Sequence, residues 1–202
     1  ALKSPRPVTH IATGQAKVEK VAGNRRFLGP DGKVSDWRGS SSKNPVHKEL
    51  PEGLIDPWLK TVAFYDGETK LVACHYYATH PMSYYGDGRV SSDFVGLARK
   101  KRQAEEPGCT HIYFTGCSGN IAAGKYNDGT PEARVALTGR IYEGIVASER
   151  ELVREAISQV SWRTAEVFPL PRATFIADTL EKEIANKNNA VANRIRPAMM
   201  LS

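Results

Sequence analysis

The sequence is short of cysteine, and the three it has, Cys74, Cys109 and Cys117, include no C-x-x-C pair. An odd count without paired spacing excludes a disulfide framework and a zinc-finger pattern. Cys74 reads as a core residue. No apolar run reaches the roughly 18 residues that a membrane-spanning helix needs. There is no internal repeat, which excludes a solenoid. A strong charge of one sign is lacking too: 28 Lys and Arg stand against 22 Asp and Glu, a net +6. The basic residues are scattered except for Arg99-Lys100-Lys101-Arg102, a run that suits the end of a helix. Such an excess permits contact with nucleic acid or an anionic membrane without arguing for either, and a nucleic-acid partner is not expected. A signal peptide and an initiator Met are also missing. The chain opens on Ala1-Leu2-Lys3-Ser4-Pro5 and closes on Met199-Met200-Leu201-Ser202, as expected of a mature or excised segment.

What remains is ordinary globular chemistry in 202 residues, 41% hydrophobic and 25% charged. That is enough for a single domain or for the central segment of a larger one. Residues 1–10 are Pro-rich and extended, and residues 13–21 alternate loosely toward a strand leading into Asn24-Arg25-Arg26. Residues 28–56 are dominated by Gly, Ser, Pro, Asp and Lys. A loop of this length is either a lid over a site or a long surface excursion.

Residues 58–65 and 70–79 are rich in β-formers and are joined by Asp66-Gly67-Glu68-Thr69, a hairpin signal. Strict alternation places His80 on the face of Cys74, Tyr76 and Ala78, with His75 on the other. Pro81 then ends the strand. Ser91-Ser92-Asp93 supply a helix start, with Phe94, Leu97 and Ala98 inward, and Pro107-Gly108 stop the helix. Residues 110–115 form another strand. A strand, a helix and a strand in this order predict a right-handed crossover with the two strands parallel. Their carboxyl ends then share one sheet edge, where open α/β sheets bind ligands. His80, the helix start and the turn at residues 116–120 converge there. The predicted fold is therefore α/β: a mixed sheet with helices packed on its faces and a parallel βαβ crossover. Further on, Pro131-Glu132 begin the longest helix, predicted to run to about residue 160, with Thr138, Ile141, Tyr142, Ile145, Ser148, Leu152 and Ala156 facing the sheet. A strand over 162–170 and a last helix from Asp178 to Lys187 follow. The tail has no clear register.

Within this frame His80 is the candidate metal ligand, being an imidazole at a strand's carboxyl end beside a glycine turn. Asp87 and Asp93 are nearby oxygens. His75 and His111 lie inside strands and read as packed side chains. The turn Thr115-Gly116-Cys117-Ser118-Gly119-Asn120 admits three readings. Its backbone amides form an anion or oxyanion nest, Ser118 or Cys117 is a nucleophile, or it is only a tight turn. G-C-S-G is not the G-x-S-x-G elbow, which favours the nest over the nucleophile.

Three stretches in order, Ala78-Thr79-His80-Pro81-Met82-Ser83, then Ser91-Ser92-Asp93-Phe94 with Gly96, then Phe114-Thr115-Gly116-Cys117-Ser118-Gly119-Asn120-Ile121, resemble the neutral/alkaline (non-lysosomal) ceramidase family. Asn24-Arg25-Arg26 matches a further family motif, so the resemblance covers about residues 10–125. It implies a zinc-dependent hydrolase in which a zinc-bound water attacks an N-acyl amide of a lipid-like substrate. His80 would be one zinc ligand. Gly119, Asn120 and Asp93 would be catalytic or supporting groups, and Ser118, Asn24 and Arg25 substrate contacts. The remaining Zn2+ ligands, a histidine before residue 1 and a glutamate and a tyrosine after residue 202, would come from flanking segments, so the chain is expected to be the middle of a catalytic domain. A secreted or periplasmic location is implied in the same way. The sequence departs from the family at Ala122 and Ala123, where true ceramidases have a serine and a proline. That departure leaves open a second reading: a non-catalytic module that keeps the fold and binds a ligand or partner at the same edge.

Overall fold

The computed structural model describes residues 4–84, 88, 90–170 and 176–201. The chain divides into two compact units, Ala1–Val160 and Ser161–Ser202.

The first unit contains β1 (His10–Lys17), β2 (Gly23–Asn24), β3 (Arg26–Leu28), β4 (Val34–Trp37), α1 (Pro45–Glu49), β5 (Trp58–Asp66), β6 (Thr69–Tyr77), α2 (Asp93–Glu105), β7 (Thr110–Thr115), β8 (Ile121–Ala122), α3 (Pro131–Arg150) and β9 (Val153–Ala156). Its main sheet has the order β7-β6-β5-β1-β9. β5 and β6 form the expected hairpin, with Gly67 at φ 55° in the turn. β6 and β7 are parallel, from Val72 opposite Thr110 to Tyr77 opposite Thr115, and α2 makes the crossover between them. The other pairs are antiparallel. The fold is thus the mixed α/β sheet read from the sequence.

The sheet buries one parity of its strands. Ala12, Leu59, Thr61, Ala63, Ala73, His75, Tyr77 and His111 are buried, and α2 and α3 cover this face. Leu137, Ile141 and Ile145 of α3 and Phe94 and Ala98 of α2 fill the gap. Burying each large apolar side chain fully is worth about 1.5–3 kcal/mol. Leu97, expected inward, is 40% exposed, and Val95 is buried in its place. Trp58, Tyr76, Ile112 and Phe114 stand exposed, and Tyr76 and Phe114 stack with centroids 5.0 Å apart.

A polar row crosses the buried interior. Ser148 Oγ lies 2.6 Å from Thr61 Oγ1, which lies 2.8 Å from His75 Nδ1. His75 Nε2 meets His111 Nδ1 at 3.0 Å, and His111 Nε2 meets Glu106 Oε2 at 3.2 Å. Burial pushes His75 down to about 4 and lowers His111 as well, so both rings are neutral near pH 7. Both histidines are packed side chains, as read from the sequence.

α3 starts as expected: Thr130 accepts the Ala133 N–H at 3.2 Å, and Pro131 occupies the first turn. It ends at Arg150, ten residues short of the predicted end. There the chain turns to add β9 to the edge of β1. Leu152 keeps helical spacing because it covers a small core of Ala12, Ala63, Ala73 and Cys109, not because the helix continues. Gly14 allows this close return. A Cβ there would lie 2.3 Å from the Ser148 carbonyl oxygen and 3.0 Å from Leu152 N.

The second unit holds α4 (Ala177–Ala185) and α5 (Val191–Leu201), which pack on each other. The predicted strand at 162–170 does not form. Trp162, Phe168 and Leu170 are more than 80% exposed, and Pro169 lacks a ladder donor. α5 lies in the tail, where the residue pattern shows no clear register.

Candidate functional site

The parallel β6–β7 pair puts two chain ends at one rim. Gly116 N–H donates to Tyr77 O at 2.9 Å, and His80 N–H donates to Ile121 O at 2.9 Å. His80 also forms an isolated parallel bridge with Ala122. On the other side of that short segment, Asn24 pairs with Ile121 and Gly23 with Ala122. Residues 121–122 therefore lie between His80 and Asn24. Gly116 packs against the backbone of Ala78, where an added Cβ would sit 3.3 Å from its Cα.

Strict alternation does not carry through to His80. Thr79 N–H turns back to Tyr77 O at 3.1 Å and Met82 N–H to His80 O at 2.9 Å, so the chain leaves the pleat after β6. His80 then lines a cleft of about 440 Å³ together with Tyr84, Ser91, Ser92, Asp93 and Arg134, at the starts of α2 and α3. It thus sits at the helix-covered end of the rim rather than with Cys74 and Tyr76. Asp87 lies outside the described residues.

Asp93 occupies the left-handed region at φ 51°, a conformation that L residues adopt at a cost. Its carboxylate accepts the Ser83 N–H at 2.9 Å, the Ser83 hydroxyl and the Phe94 N–H at 2.6 Å, and its own N–H donates to Ser91 Oγ at 3.0 Å. Asp93 ties the segment after His80 to the start of α2. Ser92, the N-cap residue, makes no side-chain cap bond.

The 116–120 turn is closed by Ile121 N–H donating to Ser118 O at 3.0 Å, leaving Gly119 and Asn120 at its corner. Arg25 N–H donates to Asn120 O at 2.8 Å, and Arg26 Nη1 to Asn120 Oδ1 at 3.2 Å. The Asn24 and Asn120 amides meet at 3.3 Å. Arg25 and Arg26 both lie over the Trp37 ring, at 4.5 and 5.1 Å. The structure therefore brings all seven residues singled out in the sequence, His80, Asp93, Ser118, Gly119, Asn120, Asn24 and Arg25, to one rim.

Three further side chains shape that rim and were not legible in the sequence. Arg38 is buried and donates to the carbonyls of His47 (2.7 Å), Asn24 (3.0 Å), Pro51 (3.2 Å) and Leu50 (3.4 Å). It fastens the 28–56 loop to β2. Asn127 is buried and donates to Ser40 O at 2.8 Å and Ser83 O at 2.9 Å while accepting from Gly129 N–H at 3.0 Å. Arg134 stands in the cleft beside His80. A buried Arg in a polar loop and a solvated one look alike in sequence, so no signal could have separated them.

For a metal, the described residues offer one set of three side chains whose ligand atoms all lie within 4.8 Å: Glu106, Cys109 and His111. This set could hold an ion, but it lies at the amino end of β7, away from His80. Its carboxylate is already engaged by Lys70 at 2.8 Å and Arg102 at 2.6 Å, two cations that a metal ion would have to oppose. Around His80 the described residues assemble no such set.

No protein-family model matches the chain, and no curated protein matches it. Among solved structures it is similar to the neutral ceramidase from Pseudomonas aeruginosa, at 18% identity and a TM-score of 0.46 over 73% of this chain and 24% of that one. It is likewise similar to a ceramidase complexed with C2, at 20% identity and a TM-score of 0.46, covering 73% of this chain and 23% of that one. The chain spans about a quarter of the length of these structures. No helix among the described residues is long and apolar enough to cross a membrane.

Proposed function

We propose that this chain supplies one wall of the active site of a zinc-dependent hydrolase of the neutral ceramidase type, cleaving an amide in a lipid-like N-acyl substrate. The observation that carries the reading is the 2.9 Å bond from His80 N–H to Ile121 O. It joins two motifs, about 40 residues apart in sequence, at the carboxyl rim of a parallel pair, where α/β sheets bind ligands. His80 is the metal ligand in this reading. The donor set fits zinc in part: an imidazole faces a cleft, and the other ligands must come from beyond the described residues. When bound, zinc lowers the pKa of water and polarises the acyl carbonyl. The chain's own groups position the substrate. The turn corner at Gly119 and Asn120 directs backbone amides at the carbonyl oxygen. Ser118, Asn24 and Arg25 contact the rest of the substrate, Asp93 holds the His80 segment to α2, and the 28–56 loop borders the entrance. A groove of about 450 Å³ lined by Leu54, Ile55, Trp58, Tyr76, Gly116 and Cys117 lies on the far side of the turn, and its apolar walls suit an acyl chain.

The test is zinc uptake and N-acyl amide hydrolysis by the chain together with its natural flanking sequence. His80→Ala should abolish both, and equal zinc content and rate in the variant would overturn the reading. One observation favours a second reading. Ala122 and Ala123, at the family's serine and proline positions, are 1% and 0% exposed, so no hydroxyl stands there. A binding module that retains the rim without the chemistry would show ligand binding that His80→Ala leaves unchanged.

A further inference from the structure

Arg134 is a charged side chain whose hydrogen bonding is incomplete. It sits on the first turn of α3, with its side chain only 15% exposed. Its Nη2 donates to Ser91 Oγ, and its guanidinium lies 4.5 Å from the Tyr84 ring centre. Its Nε is buried without a hydrogen-bond partner. Among the described residues it pairs with the Asp93 carboxylate, whose Oδ1 lies 3.8 Å from Nε, too far for a hydrogen bond. Nor does Asp93 need the guanidinium as a donor, because Ser83 and Phe94 already supply three donors to it. A buried N–H left without an acceptor keeps its full desolvation penalty. The open volume next to it is the cleft that His80 also lines.

A planar guanidinium with an unpaired Nε–H, set on a ring face and pinned by a serine, is suited to a planar or tetrahedral oxyanion. We propose that this cleft recognises an anionic group, a carboxylate or a phosphate, on the amine side of the N-acyl substrate, with Arg134 as the specificity-determining residue. The preferred substrates are then N-acyl amino acids or phosphate-bearing amides rather than uncharged N-acyl amines. The placement next to the reacting bond rests on His80 marking the reaction centre, as proposed above; the recognition itself does not.

The experiment is calorimetric binding of N-octanoylglycine, N-octanoylphosphoethanolamine and uncharged N-octanoylethanolamine to the zinc-free chain. At low salt at least one anionic ligand should bind about tenfold or more tightly than the uncharged one, and the gap should narrow as salt rises. The two anionic arms decide between carboxylate and phosphate. Arg134→Met should erase the gap and leave the uncharged ligand's affinity as it was. Arg134→Lys keeps the charge without the fork, and should fold normally and show a gap reduced severalfold. Equal binding of all three ligands, binding of none, or a gap that either variant leaves intact would overturn the proposal. A chain that takes up no zinc even with its natural flanking sequence but keeps the gap refutes the hydrolase reading alone. Zinc-dependent hydrolysis without the gap refutes only this one.

Discussion

Replacing Arg38 by Met tests how the rim is held. The guanidinium donates to four backbone carbonyls at 2.7–3.4 Å and lies 4.9 Å from the Phe27 ring. Bonds from a charged donor contribute about 1.5–3 kcal/mol each, set against a desolvation cost of several kcal/mol for the buried ion. Met fills similar space and removes both terms, but it leaves four carbonyls to find water. A net loss of about 2–4 kcal/mol follows, read as a lower urea midpoint with unchanged slope. Arg38→Lys should recover less than half of it, since one ammonium cannot span four acceptors. Hydrogen exchange locates the effect: the amide of Asn24, bonded to Glu52 O at 2.6 Å, should lose protection before Phe64 in the sheet centre does. A loss under about 0.5 kcal/mol, within the ordinary range for surface changes, or loss of protection spread evenly over the sheet, would refute the assignment of Arg38 as the clamp.

Acid should weaken the fold before its carboxylates titrate. Burial holds His75 at about 4 against an ordinary 6.5, so the unfolded chain takes up a proton over this window that the folded chain refuses. The stability is full above pH 6.5 and falls by about 2 kcal/mol by pH 5, with His111 adding in the same direction. Urea unfolding from pH 7.5 to 4.5 with a ring-proton NMR titration checks this, and stability that stays level or rises toward pH 5 would contradict it. Gly14→Ala should cost about 2–3 kcal/mol, because the added methyl meets the backbone of Ser148, Glu151 and Leu152 rather than a movable side chain. A variant as stable as the parent in urea would show that β1 and the end of α3 do not approach so closely.

The hairpin of β5 and β6, the crossover through α2 and the shared rim were legible because each rests on local chemistry: Asp66-Gly67 for the turn, β-formers for the strands, Pro107-Gly108 for the stop. From these, handedness alone places His80 near the glycine turn. What was not legible depended on partners far away in sequence. Leu152 keeps the period of α3 because of a core built from β1, β5 and β6. Residues 162–170 have strand composition but no strand partner among the described residues, and their large apolar side chains stay exposed. Thr79 breaks the pleat just before His80, so alternation assigned that ring to the wrong face. Arg38 and Arg134 differ in sequence from solvated arginines in nothing, and only the carbonyls and ring around them reveal what each does.

The row from Thr61 to Glu106 has a consistent sense once its far end is considered. A carboxylate beside Lys70 and Arg102 can only accept, so His111 must point its Nε2 hydrogen outward and offer Nδ1 as a lone pair. His75 then gives its hydrogen to His111 and takes one from Thr61, while the Ser148 hydroxyl donates to Ile145 O at 2.8 Å. One ionised group at the end of α2 thereby sets the tautomer of two rings and the rotor of a hydroxyl on β5.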